Sequence, residues 1–341
     1  MKAMILAAGV GSRLDPLTRT VPKPMVPIVN RPVMEHLLVL LKKHGFTEVI
    51  ANVHYLGAQV MDYFGDGSRW GVDLTYSQEE QLLGSAGGVK NVESFFDDTF
   101  LVIGGDDLAD IDLTKILRQH KERRAVASIA LALVDEPSEY GIVLTNERGR
   151  ITRFVEKPRA GVIFSDTANT GIYIFEPEIF DMIPRGVGYD FGKDLFPILV
   201  EQKRPFYGSL TSGYWRDVGN LMSYRYAHWD SLSGRVGVRF HVEEVRKDVW
   251  IGENTEIDDR AEIEHPVLIG NNCRIGRGAR ILENTVLGDR CVVEAGAVIR
   301  RSILWDGAHI EKGTVLERCI VGKGCHVQTN AAIYDGTIID A

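Results

Sequence analysis

The hydrophobic and polar positions of this chain fall into two regimes. Up to about residue 231, short apolar runs alternate with amphipathic stretches. The run Ala3–Ala8 reads as a strand that breaks into Gly9-Val10-Gly11-Ser12-Arg13. Residues Asn30–His44 read as an amphipathic helix. Asn30 is its candidate cap, Pro32 sits in the first turn, and Val33, Leu37, Leu40 and Leu41 share a face. Lys42, Lys43 and His44 suit the negative end of the helix dipole, and Gly45 can end it. Glu48–Val53 reads as the next strand. The resulting βαβ unit places the glycine loop at the carboxyl end of the first strand, where open α/β sheets bind ligands. Further strands are predicted at Val72–Tyr76, Thr99–Ile103, Ala127–Val134, Gly141–Leu144, Ile151–Val155 and Gly171–Phe175. Gly84–Val89 reads as a glycine-rich turn into a helix, and a helix is predicted over Leu113–Arg124, with Asp112 as a cap. Such alternation predicts an α/β fold: a Rossmann-like, mostly parallel mixed sheet with helices on both faces.

From about residue 250 the apolar period becomes six. Ile251, Ile257, Ile263, Ile269, Ile275, Ile281, Leu287, Val293 and Ile299 recur at that spacing, and Trp305 keeps the phase. A two-residue deletion then shifts it, and Val315, Val321, Val327, Ile333 and Ile339 resume. In this phasing His309 replaces an inward residue. A second register, two positions earlier, carries mostly small residues: Thr255, Ala261, Val267, Cys273, Ala279, Thr285, Cys291 and Ala297, then Cys319, Cys325, Ala331 and Thr337. All four cysteines lie in it and none forms a CxxC pair, so they read as packing residues and zinc has little support. A hexapeptide period predicts a parallel β-helix with three faces to each coil, stacked as a quasi-one-dimensional solenoid. The expected division is 1–232 for the α/β domain, 233–248 for a linker and 249–341 for the β-helix.

Composition changes this picture little. A length of 341 residues exceeds one ordinary core, in agreement with two domains. The formal charge of −8 argues against a nucleic-acid surface but leaves room for a local basic site. No apolar run approaches the roughly 20 residues that span a bilayer, and Lys2 leads directly into Gly9 without a signal-peptide pattern. No membrane association and a cytoplasmic setting are therefore expected.

The chemistry is carried by motifs. Gly9-Val10-Gly11 lacks the third glycine of the dinucleotide fingerprint, since Leu14 stands there, and it lacks the GK[ST] ending of a Walker loop. By itself it is as much a tight turn as a phosphate cradle. The longer string L-A-A-G-x-G-S-R-L-x-P-L-T, followed by Pro22-Lys23-Pro24, resembles the signature of sugar-1-phosphate nucleotidyltransferases (NDP-sugar pyrophosphorylases) of the mannose-1-phosphate guanylyltransferase type. Ser12 stands where threonine is common. The resemblance covers essentially the whole chain, including the β-helix tail. The left hand of that helix is taken from the resemblance, because ordinary crossover rules give the opposite hand.

The resemblance implies roles for particular residues. Leu6, Ala7, Ala8, Gly9, Gly11 and Ser12 would surround the nucleotide, with Gly84 and Ser85. Arg13 would grip the β and γ phosphates, and Lys23 would neutralise charge at the transferred phosphate. Asp106 and Asp217 would hold Mg²⁺. Glu156 would hydrogen-bond sugar hydroxyls, Lys157 would bind the sugar phosphate, and Gly141, Asn169 and Gly171 would line the sugar pocket. Arg13, Lys23, Asp106, Lys157 and Asp217 form the implied catalytic set. The chemistry agrees, because fixed cations stabilise a pyrophosphate leaving group and hard cations take carboxylate and phosphate oxygens. Asp107 and Asp110 read equally as turn or cap residues.

The base is open. Glu79 lies five residues before Gly84 in Q-E-E-Q-L-L-G-S-A-G-G. A carboxylate there can accept from guanine N1–H and N2–H₂, and guanylyltransferases of the family carry a similar acidic segment. Some bacterial glucose-1-phosphate uridylyltransferases show a string like Leu83–Gly88, and Glu79 or Glu80 can also simply be solvated. GTP with mannose 1-phosphate is the first expectation, and UTP or dTTP with glucose 1-phosphate the second. Two rivals are a non-catalytic regulatory or scaffold subunit of the same fold, and acyl transfer by the β-helix. His265, His309 and His326 are candidate bases for the latter, but none sits in a recognisable catalytic string. A homo-oligomer assembled partly through the β-helix is expected.

Overall fold

The computed structural model describes residues 1–340. They form two compact units. The first comprises Met1–Val10, Pro22–Pro24 and Met34–Asp217; the second comprises Gly11–Val21, Met25–Val33 and everything from Val218 onward. The chain that follows the first strand therefore contributes to both.

In the first unit the elements run β1 (Lys2–Leu6), α1 (Val33–Lys43), β2 (Glu48–Val53), α2 (Gly57–Phe64), β3 (Asp73–Gln78), α3 (Gly84–Asn91), β4 (Phe100–Gly104), β5 (Asp107–Ala109), α4 (Leu113–Glu122), β6 (Ala127–Leu133), β7 (Gly141–Thr145), β8 (Ile151–Glu156), β9 (Thr167–Phe175), α5 (Phe196–Glu201), β10 (Phe206–Leu210) and β11 (Trp215–Asp217). The main sheet has the order β8-β7-β9-β4-β1-β2-β3, with β6 pairing β9 and β10 pairing β6. Strands β4, β1, β2 and β3 run parallel, whereas β9 is antiparallel to β4, β6 and β7. The central strands are continuous apolar runs, as expected where helices cover both faces: Ala3, Met4, Ile5 and Leu101–Ile103 are fully buried. Stacked and tilted rings of Phe96, Phe100, Phe175, Phe180, Phe191 and Phe196 fill much of the core. Burying each ring contributes roughly 2–3 kcal/mol. A separate ribbon pairs β5 with β11 antiparallel and sets Asp217 opposite Asp107.

Helix α1 starts at Val33, three residues later than expected from Asn30. Val29 and Asn30 adopt φ of 43° and 68° and form the turn between Pro27–Ile28 and Arg31–Pro32, which leaves two residues between Asn30 and the helix. The Asn30 side chain donates instead to the Leu287 carbonyl at 2.7 Å, within the second unit. Asp112 does cap α4, accepting from the Lys115 amide at 2.9 Å.

The second unit contains helix α6 (Leu221–Leu232), capped by Asn220, and three parallel sheets wound into a β-helix. Each strand pairs with its equivalent one coil later. Ile269 faces Leu287, eighteen residues on, whereas Leu287 faces Leu304, only seventeen on. This corrects the expected phasing. There is no two-residue deletion; each later coil is one residue short at the same corner. After Ile299 the inward series is Leu304, Ile310, Leu316, Val321, Val327, Ile333 and Ile338. Trp305 is thus one position past the inward column, and its indole donates to the Tyr224 hydroxyl at 2.8 Å. His309 points outward beside buried Ile310 and stacks on His326 with ring centroids 4.5 Å apart. The small register closes its gap with Ser302, Ala308 and Thr314, all fully buried. Cys273, Cys291, Cys319 and Cys325 are buried free thiols, in agreement with a packing role. Asn254, Asn272, Asn284 and Asn330 take left-handed corner conformations that asparagine tolerates.

Candidate active site

Chain order reverses between β1 and β4: β2 lies on one side of β1, and β4, reached later, lies on the other. Crevices outside the carboxyl ends of strands at such a point are where open sheets bind ligands. Two segments leave the sheet here. The first is Ala7–Val10. The second is the Gly104–Asp107 turn, fastened by a hydrogen bond from the Gly105 amide to the Leu6 carbonyl at 2.9 Å. A Cβ on Gly105 would lie 2.8 Å from that carbonyl, so only glycine lets Asp106 approach β1 this closely. The Ala7 amide is held by Asn52 Oδ1 at 2.8 Å.

Three aspartates and one lysine converge at this point. Lys23 Nζ is paired with Asp106 Oδ2 and lies 4.0 Å from Asp217 Oδ1. Burial alone would pull the Lys23 ammonium down, but Asp106, Asp217 and Asp107 outweigh it and hold the group above its ordinary value. Burial would likewise raise Asp106, yet the Lys23 charge and hydrogen bond bring it below the usual carboxylate range. At Asp107 the Lys23 charge also acts to lower the carboxyl, but it is outweighed. Burial, followed by repulsion from Asp106 and Asp217, pushes its carboxyl well above the ordinary value, although Trp215 Nε1 donates to it at 3.0 Å. With one ammonium against three carboxyl groups, the cluster has surplus hard-oxygen charge that suits a divalent cation such as Mg²⁺. Among the described residues no group of three or more His, Cys, Asp or Glu side chains is arranged to hold a metal alone.

A second cluster lies at the end of β8. The Glu156 carboxylate occupies a slot walled by Gly141 and Gly192; a Cβ on Gly141 would come within 2.6 Å of Oε2. Burial and then Asp190 raise Glu156, against the opposing charges of Lys157 and Lys193, and no hydrogen bond among the described residues stabilises its ionised form. Asn169 donates to the Tyr173 hydroxyl at 3.0 Å and accepts from the Gly171 amide at 3.0 Å. Gly171 has φ of 78°, and a Cβ there would crowd Asp107. Lys157 is exposed, with φ of 43° and its amide bonded to the Tyr140 carbonyl.

Glu79 is not solvated: it is 5% exposed, and its oxygens accept from Asn52 Nδ2 at 2.7 Å and from the Leu83 amide at 3.0 Å. Glu80 is the exposed neighbour. Gly84 and Gly87 are glycines because the Val187–Tyr189 backbone passes 2.6–2.8 Å from where their Cβ atoms would be. The Ser85 hydroxyl donates to Asp190 at 2.8 Å. Leu6, Ala7, Ala8, Gly9, Lys23, Glu79, Gly84, Ser85, Asp106, Gly141, Glu156, Lys157, Asn169, Gly171 and Asp217 all fall in the first unit, whereas Gly11, Ser12 and Arg13 fall in the second. Sequence reasoning missed Asn52, Tyr173, Asp190 and Gly192. The only local signal was a polar residue at the end of a buried strand, in the case of Asn52.

Residues 2–234 match the nucleotidyl transferase family, and residues 246–341 match the EIF2B subunit epsilon LbH domain. The chain belongs to the nucleotidyl transferase family. It is 45% identical over 282 residues to a UTP–glucose-1-phosphate uridylyltransferase of Synechocystis sp., covering 78% of this chain and 73% of that one. It is 36% identical to a mannose-1-phosphate guanyltransferase of Candida albicans, covering 77% and 73%. A mannose-1-phosphate guanylyltransferase of Mycobacterium tuberculosis is 37% identical, covering 64% of this chain and 60% of the relative. Among solved structures, a Bacillus anthracis protein assigned as a glucose-1-phosphate thymidylyltransferase, in complex with a sucrose, superposes with a TM-score of 0.63 at 26% identity, covering 70% of this chain and 97% of its own. The protein is a sugar-1-phosphate nucleotidyltransferase with a C-terminal left-handed β-helix. No helix among the described residues is long and apolar enough to cross a membrane.

Proposed function

We propose that this enzyme joins UTP and glucose 1-phosphate to give UDP-glucose and pyrophosphate. An oxygen of the sugar phosphate attacks the α-phosphorus of the nucleotide in line. The bond from that phosphorus to the β-phosphate bridging oxygen breaks, and pyrophosphate leaves with the electron pair. No covalent enzyme intermediate is needed. The observation that carries the reading is the convergence of Lys23, Asp106 and Asp217 at the carboxyl ends of β1 and β4. Lys23 holds a fixed positive charge where negative charge accumulates on phosphate oxygens. A Mg²⁺ ion, which Asp106 and Asp217 would hold, supplies further neutralisation of those oxygens when bound. Glu156, an acceptor with no donor among the described residues, takes sugar hydroxyls, and Lys157 takes the sugar phosphate. Arg13 is assigned to the β and γ phosphates on its motif alone.

The base preference departs from the GTP expectation. That expectation rests on Glu79 reading guanine, yet Glu79 is buried and committed to Asn52 and the Leu83 amide. The 45% identity to a uridylyltransferase supports the same choice. GTP with mannose 1-phosphate stays as the second reading, favoured by the guanylyltransferases at 36–37% identity. A matrix of nucleoside triphosphates against sugar 1-phosphates, followed by pyrophosphate release in Mg²⁺, tests both. The highest kcat/KM is expected for UTP with glucose 1-phosphate. A maximum at GTP with mannose 1-phosphate overturns the base assignment, and no turnover with any pair overturns the enzyme itself.

A further inference from the structure

The Leu83–Gly87 segment opens α3, on the side of the site that the motifs give to the nucleotide. Its polar groups nevertheless point at another part of the chain. The Ala86 and Gly87 amides both donate to the Tyr189 carbonyl, at 3.0 and 2.9 Å, and the Tyr189 amide donates to Leu83 at 2.9 Å. Ser85 completes the seam: its hydroxyl donates to Asp190 Oδ2 at 2.8 Å and accepts from the Phe191 amide at 2.9 Å. The other Asp190 oxygen accepts from the Gly192 and Lys193 amides at 3.0 and 3.2 Å. Gly192 is the residue against which the Glu156 carboxylate rests. A continuous path thus runs from Ser85 through Asp190 to the wall of the Glu156 slot. Two of the first four amides of α3, those of Ala86 and Gly87, are thus used within the chain.

We infer that Ser85 and Asp190 are positioning residues for the sugar 1-phosphate, acting through Gly192 on Glu156, and that Ser85 is not a nucleotide ligand. This rests on the sugar-side role given to Glu156 above. Without the Ser85 hydroxyl, Asp190 loses one anchor, the Gly192 amide is less firmly held, and the slot that orients Glu156 loosens. The nucleotide side keeps its own fastening, through Asn52 to Ala7 and Glu79, which does not involve Ser85. The seam therefore predicts an asymmetric defect.

Full-length Ser85→Ala, Ser85→Thr and Asp190→Ala variants, assayed with UTP and glucose 1-phosphate and with GTP and mannose 1-phosphate, test this. In Ser85→Ala the KM for the sugar phosphate should rise about fivefold, the equivalent of one hydrogen bond, and the KM for the nucleotide should change by less than about twofold. Ser85→Thr, which keeps the hydroxyl, should restore the wild-type value. Asp190→Ala should raise the sugar-phosphate KM about tenfold or more, because the Gly192 and Lys193 amides are released as well. A rise in nucleotide KM equal to or greater than that for the sugar phosphate in Ser85→Ala overturns the inference, as does no change in either. A wild type that turns over normally separates this failure from that of the functional reading, which falls only if no sugar phosphate supports pyrophosphate release.

Discussion

Each of the two units of this enzyme is held together internally by contacts of a different range. In the β-helix each residue bonds to its equivalent seventeen or eighteen positions away, coil after coil. At the active site the decisive contacts span far more chain: 83 residues between Lys23 and Asp106, 105 between Ser85 and Asp190, 108 between Asp107 and Trp215. The solenoid's stability is close to a sum over neighbouring coils. The site's charges are a collective property of segments far apart in the chain. Chemistry that needs opposing charges held together is thus located where the topology is non-local, and the local architecture is left with packing.

Substitutions can separate the two regimes. The largest effect is expected for Asp217→Asn, which should lower kcat about a thousandfold, the range for losing one group aimed at developing charge, while the thermal transition stays in place. A variant that keeps its rate removes Asp217 from the reaction. Next is Leu316→Ala in the fully buried inward column of the β-helix, with an expected loss of about 2–4 kcal/mol in denaturant unfolding. Val315→Ala, one position earlier, should cost clearly less. The reverse ranking would restore the six-residue phasing through Val315.

Asp107→Asn gives a smaller effect whose sign depends on pH. The folded state raises the Asp107 carboxyl, so it binds a proton more tightly than the unfolded chain does. Whatever stability this group contributes is present at low pH and is lost as pH rises from the ordinary carboxylate range through the raised value. Asparagine keeps an acceptor for Trp215 and removes the charge. In chelator the variant should melt about 2–4 °C above wild type near neutral pH and above, and the gap should close toward about pH 4. A gap that widens on acidification would refute the assignment. The smallest effect is expected for Arg274→Ala on the outer face of the β-helix. Its pair with Glu256 is 73% and 77% exposed, and its loss should shift stability by less than about 0.5 kcal/mol.

Much of this architecture was legible in the order of residues. The apolar run before Gly9, the Glu48–Val53 strand and the cap at Asp112 each follow from rules that act over a few residues. The six-residue period located the β-helix and explained all four cysteines. The errors lie where two distant segments compete for one residue. Asn30 looks like a helix cap, but the turn it occupies and the Leu287 carbonyl claim it. Trp305 keeps the apolar phase by eye, but Tyr224 on α6 gives it a partner outside the column and Leu304 takes the inward place. Glu79 has a solvated side chain as one of its readings, but Asn52 and the Leu83 amide engage its carboxylate in a buried place.

The sequence by itself determined the class of fold and the presence of a six-residue solenoid, because periodicity and turn chemistry are local. Only the tertiary structure decided which carboxylates share a space, in which direction each is shifted and which hydroxyl is already engaged by its neighbours. Charge, burial and hydrogen-bond capacity depend on distance in space. Asp106 and Asp107 are adjacent in the chain, yet Lys23 lowers one and burial raises the other.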